Sequence, residues 1–269
     1  MCLILFAYKH HPNYRLILAA NRDEFYERPT APLMYWEDHP HILAGRDLKS
    51  MGTWMGITSS GRFAAVTNYR EPGRLIIDAP SRGHLVSDYL NGTMPPNDYL
   101  KHLKQEGHRY NGFNLLVGDT EAFYYFSNRS ENGTRLESGI HGLSNRLLDT
   151  PWPKVVQGKQ RLSALIDQDD DLSQTGILDL VQTQAVPPNS QIPDTGVGME
   201  WERTLAPIFI TSPNYGTRCS TLLTISRSNH VHITEITWQP AQPAPTLQAE
   251  TSFDFNIEGK DRSDENRHS

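Results

Sequence analysis

Short apolar runs separated by turn signals arrive in pairs along this chain, and helical segments arrive in pairs between them. That order restricts the fold more than any other feature. "CLILFAY" and "YRLILAA" flank the turn-rich "KHHPN" and predict a β-hairpin. "TWMGITS" and "RFAAVTNY" predict a second around Ser60-Gly61, and "GFNLLVGD" with "AFYYFSN" a third. "GIHGLSN" reads as a short strand and turn; "APIFIT", "CSTLLTISR" and "HVHITEITW" read as closing strands. One helix is expected in "APSRGHLVSDYL" with Ser81 as N-cap, and a second in "PPNDYLKHLKQEG" with Asn97 as cap and Gly107 near its end. "PWPKVVQGKQRLSALI" and "DLSQTGILDLVQ" predict two more, followed by the Pro/Gly-rich loop "VPPNSQIPDTGVG".

Hairpin-linked strands imply antiparallel sheets, and a pair of helices can cover one sheet face. The chain is therefore expected to be an α+β protein with two stacked antiparallel sheets between helix layers. A doubly wound parallel sheet would need strict alternation of strand and helix, which is absent. No internal repeat or interdomain linker breaks the pattern. Residues 1–258 are read as one domain and 259–269 as a polar tail, with "NIEGKDRSDENRHS" expected to fray.

Composition removes several function classes. The formal net charge is −6 and no basic stripe is present, so nucleic acid is not an expected partner. The longest apolar run, Leu3 to Ala7, is too short to span a bilayer and lacks the flanks of a signal peptide. A cytoplasmic location is expected. Two cysteines, Cys2 and Cys219, make neither a disulfide framework nor a metal cluster. The eleven histidines are scattered without the helical spacing of a zinc site, so no metal is expected. The sequence carries no signal for oligomeric state.

One of the two cysteines lies directly behind Met1, at the head of an apolar strand. With the first turn centred near His11, residues whose numbers sum to about 22 face each other, so Cys2 is expected opposite Ala20. "NRDE", Asn21 to Glu24, then leaves the strand end beside Cys2, with Arg22 on the same face. Methionine aminopeptidases remove Met1 when the next side chain is small, as Cys is. Cys2 would then carry a thiol and a free α-amine, which titrate near 8.5 and about 7.7–8.0. The amine can serve as base for its own side chain. Arg22 would favour the thiolate, and Asp23 would orient the α-ammonium. The plainer alternative is a packing cysteine beside a surface ion pair of Arg22 with Asp23 or Glu24.

These residues resemble the NRDE-motif family, also called the transport and Golgi organisation protein 2 family. "AGRDLKSMGTWMGI", "RFAAVTNYR", "GFNLLVGD", "GLSN" and "YGTRCSTLL" resemble its successive blocks in order, over about residues 1–238. The resemblance implies an N-terminal-nucleophile (Ntn) hydrolase fold, the four-layer αββα sandwich. It implies Cys2 as nucleophile, with Arg22 and Asp23 as charged site residues. In cysteine-type relatives such as bile salt hydrolase, Asn side chains help bind the oxyanion; Asn68 and Asn145 are the candidates here. Arg218 in "YGTR" is a candidate site-facing charge, with a strand-start salt bridge as the alternative. Asn114, inside an apolar strand, is expected to be structural, and Cys219, where relatives carry Ser, to be packing. Trp36, Trp54 and Trp201 are candidates for an apolar pocket lining.

The expected activity is hydrolysis of an amide or related acyl bond of a small molecule, with no cofactor. The family has also been connected with lipid and coenzyme A metabolism and haem trafficking. The alternative is thus a non-catalytic haem or acyl-lipid carrier, with Cys2 or His10 as iron ligand. The acidic chain disfavours a strongly anionic substrate unless Arg22, Arg46 and Arg218 converge.

Overall fold

A computed structural model of the 269-residue chain describes residues 2–130, 133–168, 174–240 and 245–258. The first half contains strands β1 (Cys2–Tyr8), β2 (Tyr14–Phe25), β3 (Thr30–Tyr35), β4 (Ile42–Asp47), β5 (Met55–Thr58) and β6 (Phe63–Asn68). Helices α1 (Gly83–Asn91) and α2 (Pro96–Glu106) follow, then β7 (Phe113–Gly118), β8 (Phe123–Ser127), β9 (Thr134–Arg135) and β10 (Gly139–Leu143). The second half holds α3 (Pro153–Gln168), α4 (Gln174–Val181), α5 (Met199–Thr204), β11 (Tyr215–Ser226), β12 (His230–Gln239) and β13 (Thr246–Asn256).

The strands form two antiparallel sheets. One runs β10-β1-β2-β11-β12-β13 and the other β3 through β9 in sequence order. Three apolar clusters show how they stack. Ile4, Phe6 and Tyr8 of β1 meet Ile57, Phe63 and Leu116 of the other sheet in a core between the sheets. Val86, Leu90 and Leu103 of α1 and α2 cover the outer face of the second sheet. Val155, Leu162 and Leu180 of α3 and α4 cover Leu3, Leu5 and Ala7 on the outer face of the first. The architecture is the four-layer αββα sandwich. In β1 the even-numbered residues point between the sheets and the odd ones toward α3, the period of two a strand imposes. Helix α3 can approach β1 closely because Gly158 has no side chain; a Cβ there would run into Leu5.

Several expectations are corrected. The first turn centres at Pro12, one residue later than expected, because Lys9 adopts a left-handed φ of 51° and its N–H closes on the Arg15 carbonyl. Cys2 therefore pairs with Arg22, not Ala20. The shift is two residues, so the face is unchanged. "APIFIT" is buried but forms no strand beyond a single bridge, Thr211–Gly216. Its backbone is satisfied partly by side chains, Asn21 donating to the Ile208 carbonyl and Thr217 Oγ1 accepting from Ile210, and partly by the backbone of Thr183 and Thr217. Helix α2 starts at Pro96 rather than from an Asn97 cap, and α1 from Arg82, with Ser81 Oγ accepting the Gly83 N–H. Of the stretch expected to fray, Ile257 is buried in the core; residues 259–269 lie outside the described residues.

The turn after β10 is held by Asp149, which has a φ of 58°. Lys159 donates to it at 2.6 Å, the Gly142 N–H at 2.9 Å, and the His141 ring nitrogen lies 2.9 Å away. Burial raises the carboxyl, but the bonds from His141, Lys159 and Gly142 prevail and bring it down to about 2. A depressed carboxylate stabilises the fold above its unfolded pKa, and that stability is lost as pH falls through about 2. Asn tolerates the same backbone. Asp149→Asn is therefore expected to flatten the loss of melting temperature between about pH 4 and pH 2; an unchanged slope would contradict this assignment.

Candidate active site

The ladder between β1 and β2 sets the site. Arg22 sits opposite Cys2 on one side and opposite Cys219 of β11 on the other. With strands about 4.8 Å apart, the two thiols flank Arg22 at about 10 Å, beyond disulfide reach. Cys2 continues the row Tyr8, Phe6, Ile4, and where that row ends a cavity of about 520 Å³ opens. Cys2, Arg22, Asp23, Asn68 and Arg218 all line it.

The four residues of "NRDE" divide by alternation. Asn21 turns to the helix side, donating to the carbonyls of Val181 and Ile208 and accepting from Ser220 Oγ. Its role is to fasten the end of α4 and the 206–210 segment to the sheet. Arg22 faces the cavity. Asp23 is buried; Thr217 Oγ1 donates to its Oδ1 at 2.8 Å and Tyr215 Oη to its carbonyl at 3.0 Å. Its backbone N–H donates to the Cys2 thiol. Glu24 lies at the rim near Arg28.

A β-bulge between Thr217 and Cys219 leaves Arg218 unpaired in the ladder. Bulges re-aim side chains. Here the guanidinium is sent across the β2–β3 turn, donating to the carbonyls of Phe25, Tyr26 and Arg28. Asn68 ends β6 and lines the cavity. Asn145 does not line it. Its side chain is fully buried behind Asn68 and donates to the Asn68 carbonyl at 2.9 Å. Ser144 Oγ donates to the Cys2 carbonyl, and Asn114 donates to the Arg146 carbonyl. The 144–146 turn is thereby locked against β1 at Cys2, which is the structural role expected of Asn114. Cys219 is buried and donates to Glu235, which also accepts the Leu33 N–H at 2.8 Å. Of the tryptophans, Trp54 lines the cavity, while Trp36 is core and Trp201 half exposed.

Two residues that the sequence did not single out complete the electrostatics. Lys154, in the first turn of α3, is 4% exposed and donates to the Leu205 carbonyl at 2.9 Å. Burial pushes its ammonium down to about 8, against the attraction of Asp23. Behind it lies the buried ion pair Arg70–Glu202 at 2.7 Å, with Arg70 over the Trp152 ring. Arg82 lines the cavity from the loop before α1. Burial raises the Cys2 thiol; Arg22 opposes this and Asp23 adds to it. Burial likewise raises the Asp23 carboxyl, opposed by Lys154, Thr217 and Arg22.

Residues 1–240 match the family model Transport and Golgi organisation 2. The chain belongs to that family. It is 38% identical to the Bos taurus Transport and Golgi organization protein 2 homolog over 280 residues, 96% of this chain and all of that one. It is 26% identical to the Drosophila melanogaster protein over 274 residues, covering 90% of this chain and 94% of that one. Among solved structures, the C2A mutant of conjugated bile acid hydrolase from Clostridium perfringens superposes with a TM-score of 0.50 at 9% identity, covering 96% and 98% of the two chains. That likeness shows the fold, the αββα sandwich. No described helix is long and apolar enough to cross a membrane.

Lys154 supplies positive field to both Asp23 and Cys2. Removing it is expected to raise the thiol's pKa and slow alkylation of Cys2 at pH 7. Lys154→Met against Lys154→Arg, compared by stopped-time iodoacetamide labelling and peptide mapping, checks this. Equal rates in two folded variants would contradict it.

Proposed function

We propose that the protein is an N-terminal cysteine hydrolase that cleaves an amide or related acyl bond of a small molecule. The observation that carries the reading is the position of Cys2: buried in the cavity wall, directly opposite Arg22, and accepting the Asp23 N–H. Burial keeps the resting thiol protonated, so attack needs a base at hand. Once Met1 is removed, the α-amine of Cys2 is that base. Asp23, held by Thr217, orients it.

The thiol proton passes to the α-amine as sulfur attacks the acyl carbon. The Asn68 side-chain amide donates to the developing oxyanion, and Asn145 holds Asn68 from behind; losing such a donor costs about 10²–10³ in rate. The α-ammonium returns its proton to the departing nitrogen, the C–N bond breaks, and a thioester remains on Cys2. Water, deprotonated by the same amine, then releases the acid and restores the thiol.

The test is turnover of fluorogenic aminocoumarin amides of varied acyl length, with acid-quenched intact-mass analysis. The acyl mass is expected on Cys2, and Cys2→Ala is expected to abolish turnover while keeping the wild-type circular dichroism. A folded Cys2→Ala protein that still turns over, or an adduct mapped elsewhere, would sink the proposal. Asn68→Ala is expected to lower kcat by about 10²-fold with a smaller change in KM.

A further inference from the structure

The cavity wall inverts the charge balance of the chain. The protein has six more acidic than basic side chains, yet five arginines line the cavity against four carboxyl groups, those of Asp23, Glu24, Asp47 and Glu235. The arginines are not equivalent. Arg28 is held by Asp47 at 2.6 Å, and Arg46 by both oxygens of Asp38 at 2.6 and 2.7 Å. Arg22 serves the nucleophile. Arg218 gives Nη1 to three neutral carbonyls and Nη2 to Thr30 Oγ1, and no carboxylate neutralises its charge within 4 Å among the described residues. Arg82 gives one N–H to the Gly112 carbonyl and has Glu24, Cys2 and Arg28 within electrostatic range.

Their surroundings separate the same two groups. Hydrogen bonds from their carboxylates raise Arg28 and Arg46, whereas burial lowers Arg82 and Arg218. Desolvated cations with no close counter-charge are relieved by an incoming anion. The two stand on opposite walls: Arg82 on the loop bonded to Thr53, just ahead of β5 of the second sheet, and Arg218 on β11 of the first. Glu235 opposes such an anion least, because burial raises its carboxyl toward the neutral form.

We propose that the molecule taken into this cavity carries a carboxylate or phosphate group, bound by the free donors of Arg82 in the field of Arg218, beside the acyl bond presented to Cys2. This rests on the hydrolase reading above and narrows it to anionic acyl compounds. The planar donors of a guanidinium suit either oxyanion.

The experiment compares iodoacetate with iodoacetamide as alkylating agents for Cys2 in the full-length protein, the label being located by peptide mapping. The reference is the rate ratio of the two reagents on mercaptoethanol. The wild type is expected to favour iodoacetate about tenfold or more above that reference. Arg82→Gln is expected to remove most of the preference, lowering the iodoacetate rate more than the iodoacetamide rate, and Arg82→Lys to keep much of it. A wild-type ratio equal to the reference, or one unchanged in Arg82→Gln, would overturn the inference.

If neither reagent labels Cys2, the hydrolase reading fails and thermal shifts decide the anion site. Saturable stabilisation by benzoate or phenyl phosphate but not benzyl alcohol, lost in Arg82→Gln, supports it and distinguishes the two anions. No anion-specific shift in the wild type overturns it. The same wild-type titration decides the matter should Arg82→Gln not fold.

Discussion

The pairing of Cys2 with Arg22 governs the rest of the molecule. Once that pair is set, alternation decides where every neighbour goes. Cys2 and Arg22 face the gap between the sheets. Asn21 and Asp23 face the helix layer, one tying down the 206–210 segment and the other meeting Thr217 and the field of Lys154. A slip of one residue would exchange the two sets. It would put Asn21 in the cavity and bury Arg22 against α4 with nothing to receive it. The ladder on the far side of β2, with its bulge at Arg218, holds the same register from β11. The site is thus a consequence of sheet geometry rather than of a flexible loop.

Charge burial is the second constraint. Asp23, Lys154, Arg70 and Glu202 form a buried charge cluster running from the cavity wall into the helix layer, with Lys154 attracted by Asp23 and Arg70 paired to Glu202. Breaking a buried pair by removing one member costs about 3–5 kcal/mol, since the other charge is left uncompensated. The cluster therefore serves two ends. It closes the interface between α3, α5 and the first sheet, and it places fixed charge within reach of the thiol. Arginines at the mouth add a positive field on a protein that is acidic as a whole.

Much of this was legible in the sequence. Strand and helix order led to the layered architecture, and position 2 together with "NRDE" led to the juxtaposition of Cys2 with Arg22 and Asp23. What was missed has identifiable causes. Strand β3 is broken by Pro32 and bulged, as Pro on an edge strand requires. Strand β13 is an edge with mostly exposed residues and no apolar run. The apolar "APIFIT" looks like a strand because it is buried, but its polar groups are met by Asn21 and Thr217, which only the tertiary fold brings near. Lys154 reads as an ordinary helix-surface lysine until the segment around Leu205 folds over it. Arg82 carries no motif at all. Asn145, an oxyanion candidate by resemblance, lies behind the cavity lining with its side chain on the Asn68 carbonyl.

The central claim is that one residue bears both nucleophile and base. It is tested most directly by treating the purified, denatured protein with cyanobenzothiazole, which condenses only with a thiol and an amine on the same residue, and then taking the intact mass. The account predicts loss of Met1 and a single adduct at Cys2. A chain that retains Met1 and forms no adduct would contradict it, since the buried thiol would then have no base of its own.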